Sequence, residues 1–383
     1  VSFFTDVSSE MIYPLLPLFL TGVLGASAQF LGAIEGAAES TASLLKLASG
    51  WWSDRVRRRK PLVLLGYGIA SAMRPLVALA QSAGQVLAVR VGDRVGKGIR
   101  NSPRDALIAD SVPPALRGRA FGFHRAADHA GAVVGPLIAF AVLRWSDVPM
   151  RTVFWLAAIP GAVAVAVVVF AVREVRTDAP SALGPRPSLG EHEVPRAEGR
   201  GLTARYWRTL AVILVFTLGN STDAFLLLRA ADLGVPVALA PLLWAALHVV
   251  KSASSAPGGA LSDRVGRAPT LVVGWLLYAA VYAGFALARE PWHAWALFAV
   301  YGIHFGLTEG TERALVADLV PADRRGTAYG WYHLTIGLGA FPASFLFGVL
   351  WTGAGAPAAF LMGSGLSLLA AAGIVFALRP DKS

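Results

Sequence analysis

The chain has 383 residues, 55% of them hydrophobic and only 15% charged, with a mean hydropathy of +0.56; soluble domains lie near 45–50% apolar and about 25% charged, so a soluble globule and a disordered chain are both excluded. There is no cysteine, which removes disulfides, zinc–thiolate sites and thiol nucleophiles. The formal charge of +10 would suggest a nucleic-acid partner in a soluble protein, but in a chain this apolar the Lys and Arg of short loops account for it and no nucleic acid is implied.

Apolar segments of membrane-spanning length then follow one another with polar breaks: Phe3–Leu24, Gln29–Trp52, Pro61–Ala80, Gly84–Arg104, Gly118–Leu143, Met150–Val172, Trp207–Leu228, Pro236–Gly258, Pro269–Ala288, Ala294–Ala314, Gly326–Trp351 and Pro357–Leu378. Each approaches the hydrocarbon thickness as a helix, and barrel strands would alternate and be about half as long. The first segment carries Asp6 and Glu10, which is wrong for a secretory signal, and residues are expected to precede Val1. Loops on one side hold Arg55, Arg57, Arg58, Arg59 and Lys60, then Arg117 and Arg119, Arg264 and Arg267, and Arg324 and Arg325, while the opposite loops are short and poor in cations. Both termini are therefore expected on the cytoplasmic side of the inner membrane. The break from 173 to 206, with Pro180, Pro185, Pro187 and Pro195, reads as a cytoplasmic linker between six-helix bundles at 1–172 and 207–383.

The halves repeat. Gly50, Asp54 and Arg55 recur as Gly259, Asp263 and Arg264 at an offset of 209. The run from Asp105 through Asp110 to Pro113 recurs as Arg313, Asp318 and Pro321 at 208, and Arg117 and Gly118 recur as Arg325 and Gly326 at the same offset. Three collinear matches signal an internal duplication of six helices, a transporter architecture.

These residues resemble the major facilitator superfamily, over the whole chain. The family's loop signature, Gly-x-x-x-Asp-Arg-x-Gly-Arg, stands here as Gly50, Asp54, Arg55 and Arg58, with Arg57 where Gly is usual, and again as Gly259, Asp263, Arg264, Gly266 and Arg267. The resemblance implies an all-α polytopic fold of twelve transmembrane helices in two pseudo-symmetric six-helix bundles. It also implies that Asp54 and Arg55 latch the cytoplasmic side; the plainer alternative is that Asp54 caps the third helix. In the fifth span, Gly131, Gly135 and Pro136 resemble the family's antiporter motif, with Ala139 for its last Gly, and imply export by exchange, while tight helix packing is the alternative. Gly96 and Gly98 resemble the fourth-helix motif, but Gly92 occupies the place of its Arg, flanked by Arg90 and Arg94.

Charges within spans are costly and are functional or paired. Asp6 with Glu10, and Glu35 with Glu39, stack one turn apart. Like charges and burial both favour holding a proton on such pairs, which makes them proton-coupling candidates together with Asp128; a salt-bridge net with Lys46 or Arg74 is the alternative. Arg90, Arg94, Lys97 and Arg104 form a helical stripe about 21 Å long. Arg100, Arg104, Asp105 and Asp110 are expected near a solvated helix end. His124, Arg125, Asp128 and His129 make the densest polar patch, with His124 and Asp128 spaced to pair. Asn220, Asp223, His248, Lys251, His304, Glu309 and His333 are sparser; together with Arg90, Arg94, His124 and Arg125, all of these except His333 are cavity candidates. The expected function is proton-coupled export of a small organic molecule by a monomer in the lipid bilayer, with no cofactor. Arg90, Arg94, Lys46 and Lys251 would suit an organic anion instead. Asp6, Asp223, His248, His304 and His333 offer ligands for a divalent metal, though no tight spacing marks a metal site. No Gly-x-Ser-x-Gly, His-Glu-x-x-His or phosphate loop is present, so an enzyme is not expected.

Overall fold

The computed structural model describes residues 1–16, 19–25, 28–56, 58–145, 148–174, 202–236 and 239–379. Most of the stretch expected as a linker, and the side chains of Glu35 and Glu39, lie outside the described residues. The described chain is almost entirely helical. Helix α1 is Ser2–Ile12, followed by a 3-10 turn at Tyr13–Leu15 and a π turn at Phe19–Val23. Then come α2 (Ala28–Val56), α3 (Lys60–Leu76), α4 (Ala83–Asp110), α5 (Arg117–Trp145) and α6, which is α6a (Met150–Leu156) and α6b (Ala158–Ala171). The second half repeats the order: α7a (Ala204–Gly219) and α7b (Ala224–Asp232), α8 (Ala240–Val265), α9 (Arg267–Leu287), α10 (Pro291–Asp318), α11 (Arg325–Ala354) and α12 (Ala356–Ala377).

By length and composition alone, α3, α5, α6, α9, α11 and α12 are apolar enough to cross a membrane. Of the rest, α4 fails because it carries Arg90, Asp93, Arg94, Lys97, Arg100, Arg104, Asp105 and Asp110. A lipid-facing helix could not carry these charges, and α4 turns them to the bundle interior. Phe140, Phe170, Phe341 and Leu287 are instead exposed, as a lipid-facing surface requires.

The two bundles meet most extensively where α2 packs on α11 and α5 on α8, and also where α5 meets α10 and α4 meets α11. One apolar core lies within the first bundle, and a larger one fills the second and extends to Ala106, Ala109 and Phe121 of the first. The second is aromatic, with Phe216 stacked on Trp275 and Tyr278 on Tyr282, ring centroids 4.9 and 4.1 Å apart. The first gathers Met11, Phe19, Val153 and Phe154. Within it α5 approaches α1 closely: a Cβ on Gly131 would lie 2.6 Å from the Phe3 carbonyl oxygen, and one on Gly135 2.7 Å from that of Val7. The antiporter-like residues thus seat α1, with Asp6 and Glu10, against α5. At the turn from α8 to α9, Gly266 has φ of 103°, the left-handed region that accounts for Gly in the loop signature.

Candidate functional site

At the basic-loop end, the two copies of the loop signature clamp the bundles together. Asp54 accepts hydrogen bonds from the backbone N–H groups of Gly326 (2.8 Å) and Thr327 (2.6 Å), at the start of α11. Asp263 accepts from Gly118 (2.8 Å) and Arg119 (2.7 Å), at the start of α5. Each carboxylate caps a helix of the opposite bundle, where free N–H groups and the helix dipole favour an anion. Asp54 thus joins the two bundles as the expected latch requires, but without Arg55, and it does not cap the third helix.

The guanidinium partners also differ from expectation. Arg55 is exposed over the Trp51 ring, and Arg58 and Arg264 are exposed as well. Arg59 takes the role, bonded to Asp110 and to the Ala322 carbonyl (2.8 Å), while Arg325 reaches Asp110 from the other bundle. In the second copy Arg267 pairs with Asp263 (2.5 Å) and Asp318 (3.0 Å), and Arg117 with Asp318 (2.5 Å). The reason is geometric: adjacent helical residues do not share a face, whereas a residue returning after the helix end can reach the carboxylate. Asp54→Asn keeps the shape but loses charge and acceptor strength at the cap, a cost of about 1–2 kcal/mol, or roughly a 5–30-fold shift toward an open end. Spin labels on cysteines at Arg55 and Asp323, easily placed in a cysteine-free chain, should report longer distances in that variant; an unchanged distribution refutes the clamp.

Behind the clamp lies a cavity of about 400 Å³. Among the described residues its wall holds Lys46, Arg74, Arg90, Arg94, Lys97, Arg100, Arg104, Arg125 and Arg313, against the carboxylates Asp6, Glu10, Asp93 and Asp128. Several of these are already matched. Arg74 donates to Asp93 (3.0 Å) and to the Thr5 carbonyl (2.8 Å), and Arg90 lies 3.8 Å from Asp93.

Two polar links cross from bundle to bundle beside this cavity. In the first, Arg125 donates to both oxygens of Glu309 on α10 (2.5 and 3.0 Å) and to Asp128 (2.7 Å), and His129 Nε2 lies 3.0 Å from Glu309. His124 extends it, 3.6 Å from Asp128 and 2.6 Å from the Ser2 hydroxyl. In the second, the fully buried Asp105 accepts from Arg104 (3.0 and 2.8 Å), with His333 of α11 at 2.8 Å and Arg313 of α10 at 3.6 Å. The expected solvation of the α4 end is corrected: α3 packs on Arg100, which is 4% exposed, while His333 of α11 reaches Asp105 and Arg325 reaches Asp110, whose side chain is 3% exposed.

Of the predicted cavity residues, Arg90, Arg94, Arg125 and His248 line the wall, as do Asp6, Glu10 and Asp128. Four do not. Asp223 and Lys251 pair at 3.5 Å behind the wall, with the Tyr301 hydroxyl on Asp223 and the Lys251 ammonium 3.5 Å from the centre of the Phe305 ring. Asn220 sits in the break between α7a and α7b, 3.3 Å from the Tyr278 hydroxyl. His304 is buried against the Gly274 carbonyl at 2.8 Å. Of the five residues offered for a metal, Asp6, His248 and His333 line the cavity while Asp223 and His304 do not, and among the described residues no group of three or more His, Cys, Asp or Glu is placed to hold a metal ion. Sequence reading passed over Arg59, Asp105, Asp110, Arg117, Asp318 and Arg325 as site residues. The repeat carried the signal for most of them, since Asp110 with Arg117 recurs as Asp318 with Arg325.

Comparison with known proteins agrees with this geometry. Residues 1–344 and 209–383 match the sequence profile of the Major Facilitator Superfamily. The chain is 32% identical over 382 residues to the uncharacterized MFS-type transporter MJ1317 of Methanocaldococcus jannaschii, covering 98% of this chain and 92% of that protein. A local likeness, 35% over 89 residues, 23% of this chain and 22% of the other, links it to the multidrug resistance protein MdtH of Cronobacter sakazakii. Its fold matches the crystal structure of the human organic anion transporter MFSD10 with a TM-score of 0.74 at 18% identity, over 97% of each chain. The chain belongs to the major facilitator superfamily and is a multi-pass membrane transporter, not an enzyme.

Proposed function

We propose that this protein exports a small organic compound across the cytoplasmic membrane in exchange for protons. The basic loops, and with them both termini, face the cytoplasm by the positive-inside rule. Bundles 1–172 and 207–383 rock about the cavity as a monomer, joined through 173–206. The observation that carries the reading is the placement of Asp6 and Glu10. Both line the cavity from α1, and α1 is seated on α5 through Gly131 and Gly135. The same helix α5 carries Asp128 and Arg125, which form the link to Glu309 in the other bundle. A charge change on α1 thus stands beside the polar contacts that separate when the basic-loop end opens, and protonation shifts the balance of states by differential stability. Exchange and outward direction draw support from the antiporter-like residues of α5 and the local likeness to MdtH.

The test is proton movement in proteoliposomes with a lumenal pH dye and a panel of organic cations, organic anions and neutral compounds. A compound that moves protons only where the protein is present supports the reading. In the Asp6→Asn, Glu10→Gln double variant, substrate-dependent proton movement should disappear while substrate-for-substrate exchange persists. Uphill, proton-driven transport retained in that variant refutes the coupling role.

A further inference from the structure

Arg100 stands apart from the other buried arginines of the cavity. It lies on α4, is 4% exposed and lines the cavity wall. Its guanidinium is stacked over the Tyr67 ring, 4.3 Å from the centroid. That contact fixes the plane of the group but provides no hydrogen-bond acceptor. Its Nε and Nη1 are buried without a partner among the described residues. The neighbouring guanidinium groups are treated differently: Arg74 has Asp93 and a backbone carbonyl, Arg104 has Asp105, and Arg125 has Glu309. Asp93, one charge that could serve Arg100 from its own helix, is held by Arg74. A buried cation without an acceptor is strongly disfavoured unless something else supplies the acceptor. Even with Asp105 and Glu309 added to the four carboxylates of the described wall, its nine cationic side chains are in excess, which favours an anionic supplier.

We infer that Arg100 is the docking point for an acidic oxygen, carboxylate or phosphate, of a small organic anion carried in this cavity. The inference rests on reading the cavity as the transport site, and not on proton coupling or direction. A guanidinium held flat on an aromatic ring presents its N–H edges to a ligand with little further loss of freedom, and charge-assisted bonds of this kind discriminate sharply against neutral and cationic isosteres.

The experiment uses the full chain in nanodiscs and reads thermal unfolding with benzoate, phenyl phosphate, succinate and citrate, against the near-isosteric neutral benzamide and cationic benzamidinium. One or more of the anions should raise the midpoint, with neither benzamide nor benzamidinium doing so. Arg100→Gln should weaken the apparent affinity about tenfold to hundredfold, and Arg100→Lys should retain part of it. Without added anion, Arg100→Gln should unfold at the same or a higher temperature, because it removes a buried charge that lacks an acceptor. Equal stabilisation by benzamidinium, affinity unchanged in Arg100→Gln, no shift with any of the four anions, or a lowered midpoint of Arg100→Gln without anion would each overturn the site. Proton movement driven by benzamidinium alone would remove the anion site and leave exchange standing. Anion-dependent stabilisation without proton movement would do the reverse.

Discussion

Gly50→Ala is expected to open the basic-loop end of the transporter and to cut turnover about tenfold, while leaving the bundles folded. A Cβ at position 50 would lie 2.1 Å from the Gly326 carbonyl oxygen and 2.8 Å from its carbon. Backbone cannot step aside as a flexible side chain could, so α2 and α11 must separate. Overpacking of this kind costs about 1–3 kcal/mol. The cost falls only on the arrangement in which the two helices touch, so it acts on the balance of states, by roughly 5–150-fold, and not on folding within either bundle. The repeat supplies a second copy, because a Cβ on Gly259 would lie 2.0 Å from the Gly118 carbonyl oxygen. Gly259→Ala should behave alike. Gly68 and Gly365 sit on helices with nothing within 4 Å of the corresponding Cβ, so alanine there should be neutral or slightly stabilising. The spin-label pair at Arg55 and Asp323 reads the outcome: a longer distance in Gly50→Ala but not in Gly68→Ala. Equal distances in the two variants would show that the crossing does not hold this end shut.

The second large effect is expected at Arg125. Its guanidinium holds both oxygens of Glu309 across the bundle interface and also Asp128 within its own helix. Arg125→Gln leaves Glu309 with His129 as its remaining side-chain contact across that interface, and truncating one partner of such a pair costs about 2–5 kcal/mol. The unfolding temperature should fall and transport should be lost. Glu309→Gln should show the same signs. Because much of the penalty is the stranded opposite charge, the double variant should recover part of the stability. A double-mutant cycle checks this, and a coupling near zero would mean that the pair does not join the bundles.

The fold was legible because its signals are local or repetitive. A twenty-residue apolar stretch has few stable states in a membrane besides a helix, and the duplicated loop signature needs no tertiary knowledge to be seen. The seating of α1 on α5 was half legible: Gly131 and Gly135 marked a close approach but not the helix that makes it. The clamp was legible only to its carboxylates. Asp54 and Asp263 stand in the sequence motif, whereas their real partners are backbone N–H groups some 270 and 145 residues away along the chain. The charge count misled at the end of α4, where Arg100, Asp105 and Asp110 looked solvated and are buried. A helix end lies in water only if nothing covers it, and here α3 packs on Arg100 while α11 of the other bundle reaches Asp105 and Asp110.

The sequence by itself determined twelve helical spans, their duplication, the asymmetry of loop charge and the placing of ionisable side chains inside the spans, since each follows from hydropathy or from repetition along one chain. Only the tertiary structure decided which of those charges face one another. It drew Arg125 to Glu309, His333 to Asp105 and Arg59 to Asp110, closed the basic-loop end, and left Arg100 in the cavity wall without an acceptor. Pairing energies between charges depend on separations of a few ångströms and on exclusion of water, and both are set by how helices distant in sequence pack.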